Sequence, residues 1–320
     1  MVKTFTRLTS LEAFPWPGRI AMVFYTLWFY VTRTLMPVAL SPLYELPAHV
    51  SLAEPRFLLP ALAVVGVTIA LVLLRRRWPA GLAAWLCYAV LLAPVSGPVH
   101  AGFQLAHDRY SYLSCLGWAL VLGGAVAALA GWRGRGVNPR VRGLALAVTA
   151  GWVLALGWLT WQQVHVWRDT YALWTFAIDS DPRCALCHGN LAAYLVNKED
   201  LGGAMLHAAT AIDLRPDRTR PHLTLGLALT KSNRLEEAIT HFEKFLVDHP
   251  ESADGLTSLG VALLRTGRTR EAAGPLRRAV ALKPEHVIAR VNYAAALVRL
   301  GEREAAMTEY RLLIDRKSVV

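Results

Sequence analysis

The chain is short of several things at once. It has four cysteines in 320 residues, too few for a disulfide framework to stand in for a hydrophobic core. Lysine is scarce, six against 28 arginines, and the 23 acidic residues fall well below the 34 basic ones. No GxxxxGK[ST], no GxGxxG with a later acidic partner, no GxSxG and no HExxH occurs. P-loop, dinucleotide, serine-hydrolase and zinc-peptidase chemistry therefore have no residues to stand on, and no metal is expected. The net charge of +11 does not form a stripe on a polar fold. Residues 1–181 hold 14 Lys/Arg against 7 Asp/Glu, residues 182–320 hold 20 against 16, and the cations of the first part flank apolar runs. That placement argues against nucleic acid as a partner.

What the chain has in excess is apolar sequence, 54% of residues with a mean hydropathy of +0.34. The excess is gathered in runs at 20–40, 57–74, 81–99, 112–132 and 143–161. Each is about 18–21 residues, the length that crosses a hydrocarbon layer as a helix. Ten Lys/Arg fall in residues 1–19, the Arg75–Arg77 loop and the Arg133–Arg142 loop, while the two opposite loops hold Arg56 and Arg109. By the positive-inside rule this predicts a cytoplasmic N-terminal segment, 1–19, and a multi-pass domain, 20–166, in the inner (cytoplasmic) membrane. Residues 167–320 are then periplasmic.

From residue 167 the period changes. Pro182, Pro216, Pro250 and Pro284 stand 34 residues apart, as do Ala204, Ala238, Ala272 and Ala306, and Leu191, Leu225, Leu259 and Tyr293. A 34-residue unit closed by proline resembles the tetratricopeptide repeat, a helix–turn–helix that stacks into a solenoid. Four repeats are predicted, at 185–218, 219–252, 253–286 and 287–320, preceded by a half unit carrying Thr170, Trp174 and Ala177. The turn inside each repeat calls for a left-handed residue. Gly267, Gly301 and Asn233 supply it, while the first repeat has Glu199 and is expected to close through Gly202 or Gly203. The fold class is thus all-α: a five-helix transmembrane bundle followed by a tetratricopeptide-repeat α-solenoid.

Four constellations are candidates for chemistry. The outward loop before the fourth run holds His107, Asp108, Arg109 and Tyr110, with Tyr112 beyond. Arg109 suits a phosphate bidentately, and an interfacial Asp108–Arg109 pair with an aromatic belt is the plainer reading. Arg33 lies within the first run and either snorkels or faces the same outward pocket. Cys184-Ala-Leu-Cys187-His188 has the spacing of a c-type haem attachment motif, of a CxxC disulfide or redox pair, and of two unpaired or structural thiols; His188 falls on the repeat phase of His222, which weighs against haem. Last, Asn197, Lys231, Arg265 and Arg299 share one repeat phase. Such a ladder either grips carboxylates of a bound peptide or serves the helix dipole. Asp169, Asp179 and Asp181 read as a solvated linker face or helix caps.

Residues 29–47, FYVTRTLMPVALSPLYELP, and 107–122, HDRYSYLSCLGWALVL, carry a further resemblance. They are similar to stretches of membrane glycosyltransferases with a C-terminal tetratricopeptide domain, the transmembrane-and-TPR protein O-mannosyltransferases of the GT-C type. The match comprises Asp108, Arg109, Tyr110, Tyr112, Leu113 and Ser114, together with Arg33, Pro37 and the 40–44 segment. Those enzymes have about twice as many spans, and their acidic catalytic loop precedes the matched region. The first outward loop here, 41–56, offers only Glu45 and Glu54. The resemblance therefore implies the C-terminal half of such an enzyme. In that role Arg33 and Arg109 hold the phosphate of a polyprenyl-phosphate sugar donor and the repeats present the acceptor protein. Two functions are expected on these grounds: a membrane-tethered repeat protein that binds protein or peptide and contacts membrane lipid, or a partial glycosyltransferase completed by a separate catalytic subunit.

Overall fold

The computed structural model describes residues 16–36, 41, 44–45, 50–96, 104–106, 114–131 and 139–317. The chain forms two compact units, residues 1–180 and 181–320.

The first unit contains α1 (Trp16–Leu35), α2 (Pro55–Leu73), α3 (Pro79–Leu92), α4 (Leu116–Gly131), α5 (Pro139–Val166) and α6 (Thr170–Ser180). Pro55 and Pro79 open α2 and α3, where a missing N–H costs nothing and the ring presets φ. At its other end α3 gives way to a 3-10 turn over Ala93–Val95, where Pro94 has no N–H to carry the helix on. Aromatic groups tie the helices. Tyr88, fully buried, donates its hydroxyl to the Leu27 carbonyl at 2.6 Å. Trp85 Nε1 donates to Thr68 Oγ1 at 3.0 Å. Both rings sit in an apolar cluster with Leu27, Val64, Leu71 and Leu92. Small departures from a helix-only fold are two short antiparallel strands, Tyr44–Glu45 and Gln104–Ala106.

Helices stand at all five places where a span was expected, but their dimensions differ. Among the described residues, Pro55–Leu73 and Pro139–Val166 are long and apolar enough to cross a membrane. At 1.5 Å per residue the 14 residues of α3 reach only about 21 Å. α1 has 20 residues but carries Arg19 and Arg33. Two helices of this kind, not five, are therefore present among the described residues. The compact units divide at 180/181, which places α6, with Thr170, Trp174 and Ala177, in the first of them. Asp169 accepts from the Ala172 N–H at 2.8 Å and caps α6.

The second unit is four antiparallel helix pairs: α7 (Ala185–Asn197) with α8 (Leu201–Leu214), α9 (Arg220–Lys231) with α10 (Leu235–Asp248), α11 (Ala253–Arg265) with α12 (Thr269–Leu282), and α13 (Val287–Leu300) with α14 (Arg303–Lys317). The 34-residue phases become layers. Ala204, Ala238, Ala272 and Ala306 are all buried at the crossings. A neighbouring phase sets glycine against a large side chain in the second and third pairs, Gly226 against Phe242 and Gly260 against Leu276. A Cβ at Gly226 would lie 2.5 Å from Cε1 of Phe242, so a bare backbone on α9 is what admits the ring from α10. Each pair is closed by one left-handed residue: Glu199 (φ 65°), Asn233 (62°), Gly267 (82°) and Gly301 (86°). After each, the next N–H returns to a leucine carbonyl five residues back, Asp200 to Leu195, Arg234 to Leu229, Arg268 to Leu263 and Glu302 to Leu297, at 2.9–3.1 Å. This is one Schellman closure repeated four times. The first repeat is no exception: Glu199 itself turns left-handed, and Gly202 and Gly203 lie inside α8.

Candidate functional site

The ladder of Lys231, Arg265 and Arg299 is placed at the C-terminal ends of α9, α11 and α13, where the last helical carbonyls have no partner of their own. Each cation reaches back one repeat plus one residue. Lys231 Nζ donates to the Val196 carbonyl at 3.1 Å, Arg265 Nη1 to that of Thr230 at 2.8 Å, and Arg299 Nη1 to that of Leu264 at 2.8 Å. Arg265 Nη2 also donates to Asn233 Oδ1 at 3.0 Å. The cations thus cap the preceding repeat and sit at the negative end of its helix dipole. One donor of each cation is thus engaged on a backbone carbonyl, the arrangement that the helix-dipole reading of the ladder expects. Asn197, at the same phase in the first repeat, is exposed.

Cys184 and Cys187 form a disulfide with a Cα–Cα distance of 5.2 Å. Cys184 is also the N-cap of α7, its sulfur accepting from the Cys187 N–H at 3.2 Å. The two residues are 1% and 0% exposed, and the thiols that thioether attachment of a haem needs are joined to each other. Of the outward-loop residues, His107, Asp108, Arg109 and Tyr110 lie outside the described residues. Arg33 is on the last turn of α1, its guanidinium over the Phe29 ring at 5.4 Å from the centroid, within cation–π range.

Between the first helices of the second, third and fourth repeats runs a groove enclosing about 320 Å³. Its walls come from equivalent phases: Leu227 and Val261 on one, Asp254 and Ile288 on another, with Thr230 and Ser258 between them and the Phe242 ring at the base. Leu227 and Ile288 are 37% and 61% exposed, so the walls are apolar surface facing solvent. At one end His286 Nε2 lies 3.0 Å from Asp254 Oδ1. None of these residues was singled out from the sequence. Their signal was the 34-residue recurrence of apolar residues on the outer side of the first helix, next to the buried phases that announce the repeat.

The sequence also passed over the partners of its repeated histidine. His188 Nδ1 meets His207 Nδ1 at 2.9 Å, and His222 Nδ1 meets His241 Nδ1 at 2.8 Å. In the fourth repeat the same two positions hold Arg290 and Glu309, which are ion-paired. His207 and His241 are also 34 apart, which would have disclosed them.

Stacked helix pairs with a recurrent Schellman turn and an open groove define a helical-repeat solenoid. The tetratricopeptide-repeat family model matches residues 223–285 and 263–318, so the repeats over that stretch are similar to tetratricopeptide repeats. Among solved structures, YrrB, a TPR protein with an unusual peptide-binding site, is 24% identical, covering 44% of this chain and 73% of that one at a TM-score of 0.42. MamA residues 41 to the end from Desulfovibrio magneticus RS-1 is 17% identical, covering 49% and 91%, TM-score 0.44. TTC0263, a thermophilic TPR protein in Thermus thermophilus, is 19% identical, covering 47% and 84%, TM-score 0.39. No curated protein matches the chain.

Proposed function

We propose that the second unit binds an extended peptide along its groove and seats one apolar side chain against Leu227, Val261 and Ile288, while the first unit holds it at a membrane. The observation that carries this reading is the groove itself, an apolar-walled channel of about 320 Å³ on the repeat surface. Apolar walls with a few hydroxyls suit side-chain burial, and the Thr230 and Ser258 hydroxyls, each donating to a carbonyl of its own helix, can accept from a peptide N–H. Each ladder cation has a donor committed to a carbonyl of the preceding repeat, which supports a capping role for the ladder beside the groove. Membrane attachment is supported by α2 and α5: α5 runs 28 residues with none buried, and a helix apolar on all sides in this way is at home in lipid. A periplasmic position for the repeats follows from the arginine asymmetry of the flanking loops.

The test uses the full chain and an immobilised peptide array. Peptides with one large apolar residue in a neutral or polar context are expected to bind, and Val261→Glu to weaken them at least about tenfold by placing a charge in the groove. Retained binding in Val261→Glu would overturn the groove assignment. The donor-lipid role implied by the glycosyltransferase resemblance is separated by Arg109→Ala. Loss of polyprenyl-phosphate binding with that variant supports that role, and peptide binding is expected to be indifferent to it.

A further inference from the structure

The two histidine pairs are not alike in kind to what fills the same slot further along. In the first and second repeats the slot holds His188 with His207 and His222 with His241, Nδ1 to Nδ1 at 2.9 and 2.8 Å. In the third it holds Leu256 and Pro275, which do not titrate. In the fourth, Arg290 is ion-paired with Glu309 and also donates to the Pro284 carbonyl at 2.9 Å. His188 makes the corresponding contact, its Nε2 lying 3.3 Å from the Pro182 carbonyl. The slot thus joins the first helix of a repeat to the second, and its chemistry changes from titratable to fixed along the array.

Proton counting shows what acid does to such a pair. Two imidazoles have four ring nitrogens. The Nδ1–Nδ1 hydrogen bond exists only while one Nδ1 is bare, because one must donate and the other accept. A pair therefore holds at most three protons. The fourth sets two N–H groups head to head and two positive charges on rings about 5 Å apart, with centroids at 5.1 and 5.0 Å. His188 and His222 are each 7% exposed and His207 and His241 half-buried, so water screens that charge only in part. The charged groups that act on the pairs are Asp200 on His207, Lys244 on His222 and His241, and Glu237 on His241. Asp200 and Glu237 favour a proton and Lys244 opposes one.

We propose that the two pairs make the first two repeats an acid-releasable segment, which loosens as pH falls below about 6 while the third and fourth repeats stay closed. The direction follows by linkage. Burial, with the neighbouring ring charge, lowers the proton affinity of His207 and lowers that of His222 to about 4; burial, with the Lys244 ammonium, lowers that of His241. A base that resists protonation in the fold contributes stability above its ordinary value of about 6.5, and that contribution is lost as pH falls toward the depressed value. The fourth repeat has an arginine–glutamate pair in this slot and no imidazole.

Amide hydrogen exchange of the full chain at pH 7.5 and pH 5.0, corrected for intrinsic rates, tests this. Protection over 185–248 is expected to fall at least about tenfold relative to 253–317, which corresponds to about 1.4 kcal/mol. An even loss across all four repeats, or none, overturns the proposal. The double variant His222→Arg with His241→Glu installs the fourth repeat's pair in the second. It is expected to remove the response of 220–248 and leave that of 185–214, and an unchanged response of 220–248 overturns the assignment. Should that variant fail to fold, the wild-type exchange map still decides, joined by nitrogen NMR of the histidine rings: both Nδ1 atoms of a pair protonated in a fully protected repeat would refute the mechanism.

Discussion

Single residues in this protein are asked to do things their type does not prefer. Glu199 adopts φ 65°, a conformation that crowds an L side chain against its own carbonyl at a cost of about 1–2 kcal/mol. The Schellman closure imposes it, because Asp200 N–H must reach the Leu195 carbonyl. Nothing substantial offsets it locally, since the Lys231 pair at 3.8 Å is solvent-exposed. Glu199→Gly is therefore expected to stabilise the second unit by about 1 kcal/mol, read as a higher thermal midpoint by circular dichroism; a lower midpoint would mean that the glutamate makes a contact worth more than its strain. The sequence concealed this position because glutamate is not a turn signal, whereas Asn233, Gly267 and Gly301 announced the same phase. His207 and His241 were hidden differently. A histidine has no visible partner in one dimension, and only the crossing of two helices puts Nδ1 opposite Nδ1.

At the scale of elements, periodicity was the dependable guide. Prolines, alanines and leucines repeating at 34 residues predicted four helix pairs, and four are present. What the elements do at their ends was less legible. A basic residue in a last helical turn is compatible with ligand capture and with capping, and the choice depends on whether a bare carbonyl lies within reach in the next repeat. It does for Lys231, Arg265 and Arg299. Arg265→Met keeps the aliphatic stem and removes two hydrogen bonds, those to Thr230 and Asn233. The expected cost is about 1–3 kcal/mol of stability in the second unit with peptide affinity changed less than about threefold, from denaturant titration and the array together. Affinity lost without a loss of stability would return the ladder to the binding site. The apolar runs of the first unit misled about length for a related reason. Hydropathy does not register that Pro94 ends α3 at Leu92.

At the scale of the molecule, the two units present surfaces of different character. The first exposes leucine, valine and tryptophan along α2 and α5, while the second buries an apolar core between stacked pairs and leaves apolar residues such as Val247 and Ile288 on its surface. Cys87 on α3 is exposed, so it reports on what surrounds the first unit. In native membranes a charged maleimide is expected to leave Cys87 unlabelled, and to label it once the chain is unfolded in denaturing detergent; rapid labelling in intact membranes would place α3 in water. Sequence alone determined the repeat architecture, the phase of the left-handed turn and the concentration of apolar residues before it, because each depends on spacing along one chain. Tertiary structure decided the rest: that the cations cap neighbouring repeats, that histidines meet in pairs, that Cys184 and Cys187 are bonded to each other, and that Leu227, Val261 and Ile288 share one groove. These are relations between helices, and a helix's neighbour is set by how its face packs, which no single stretch of sequence contains.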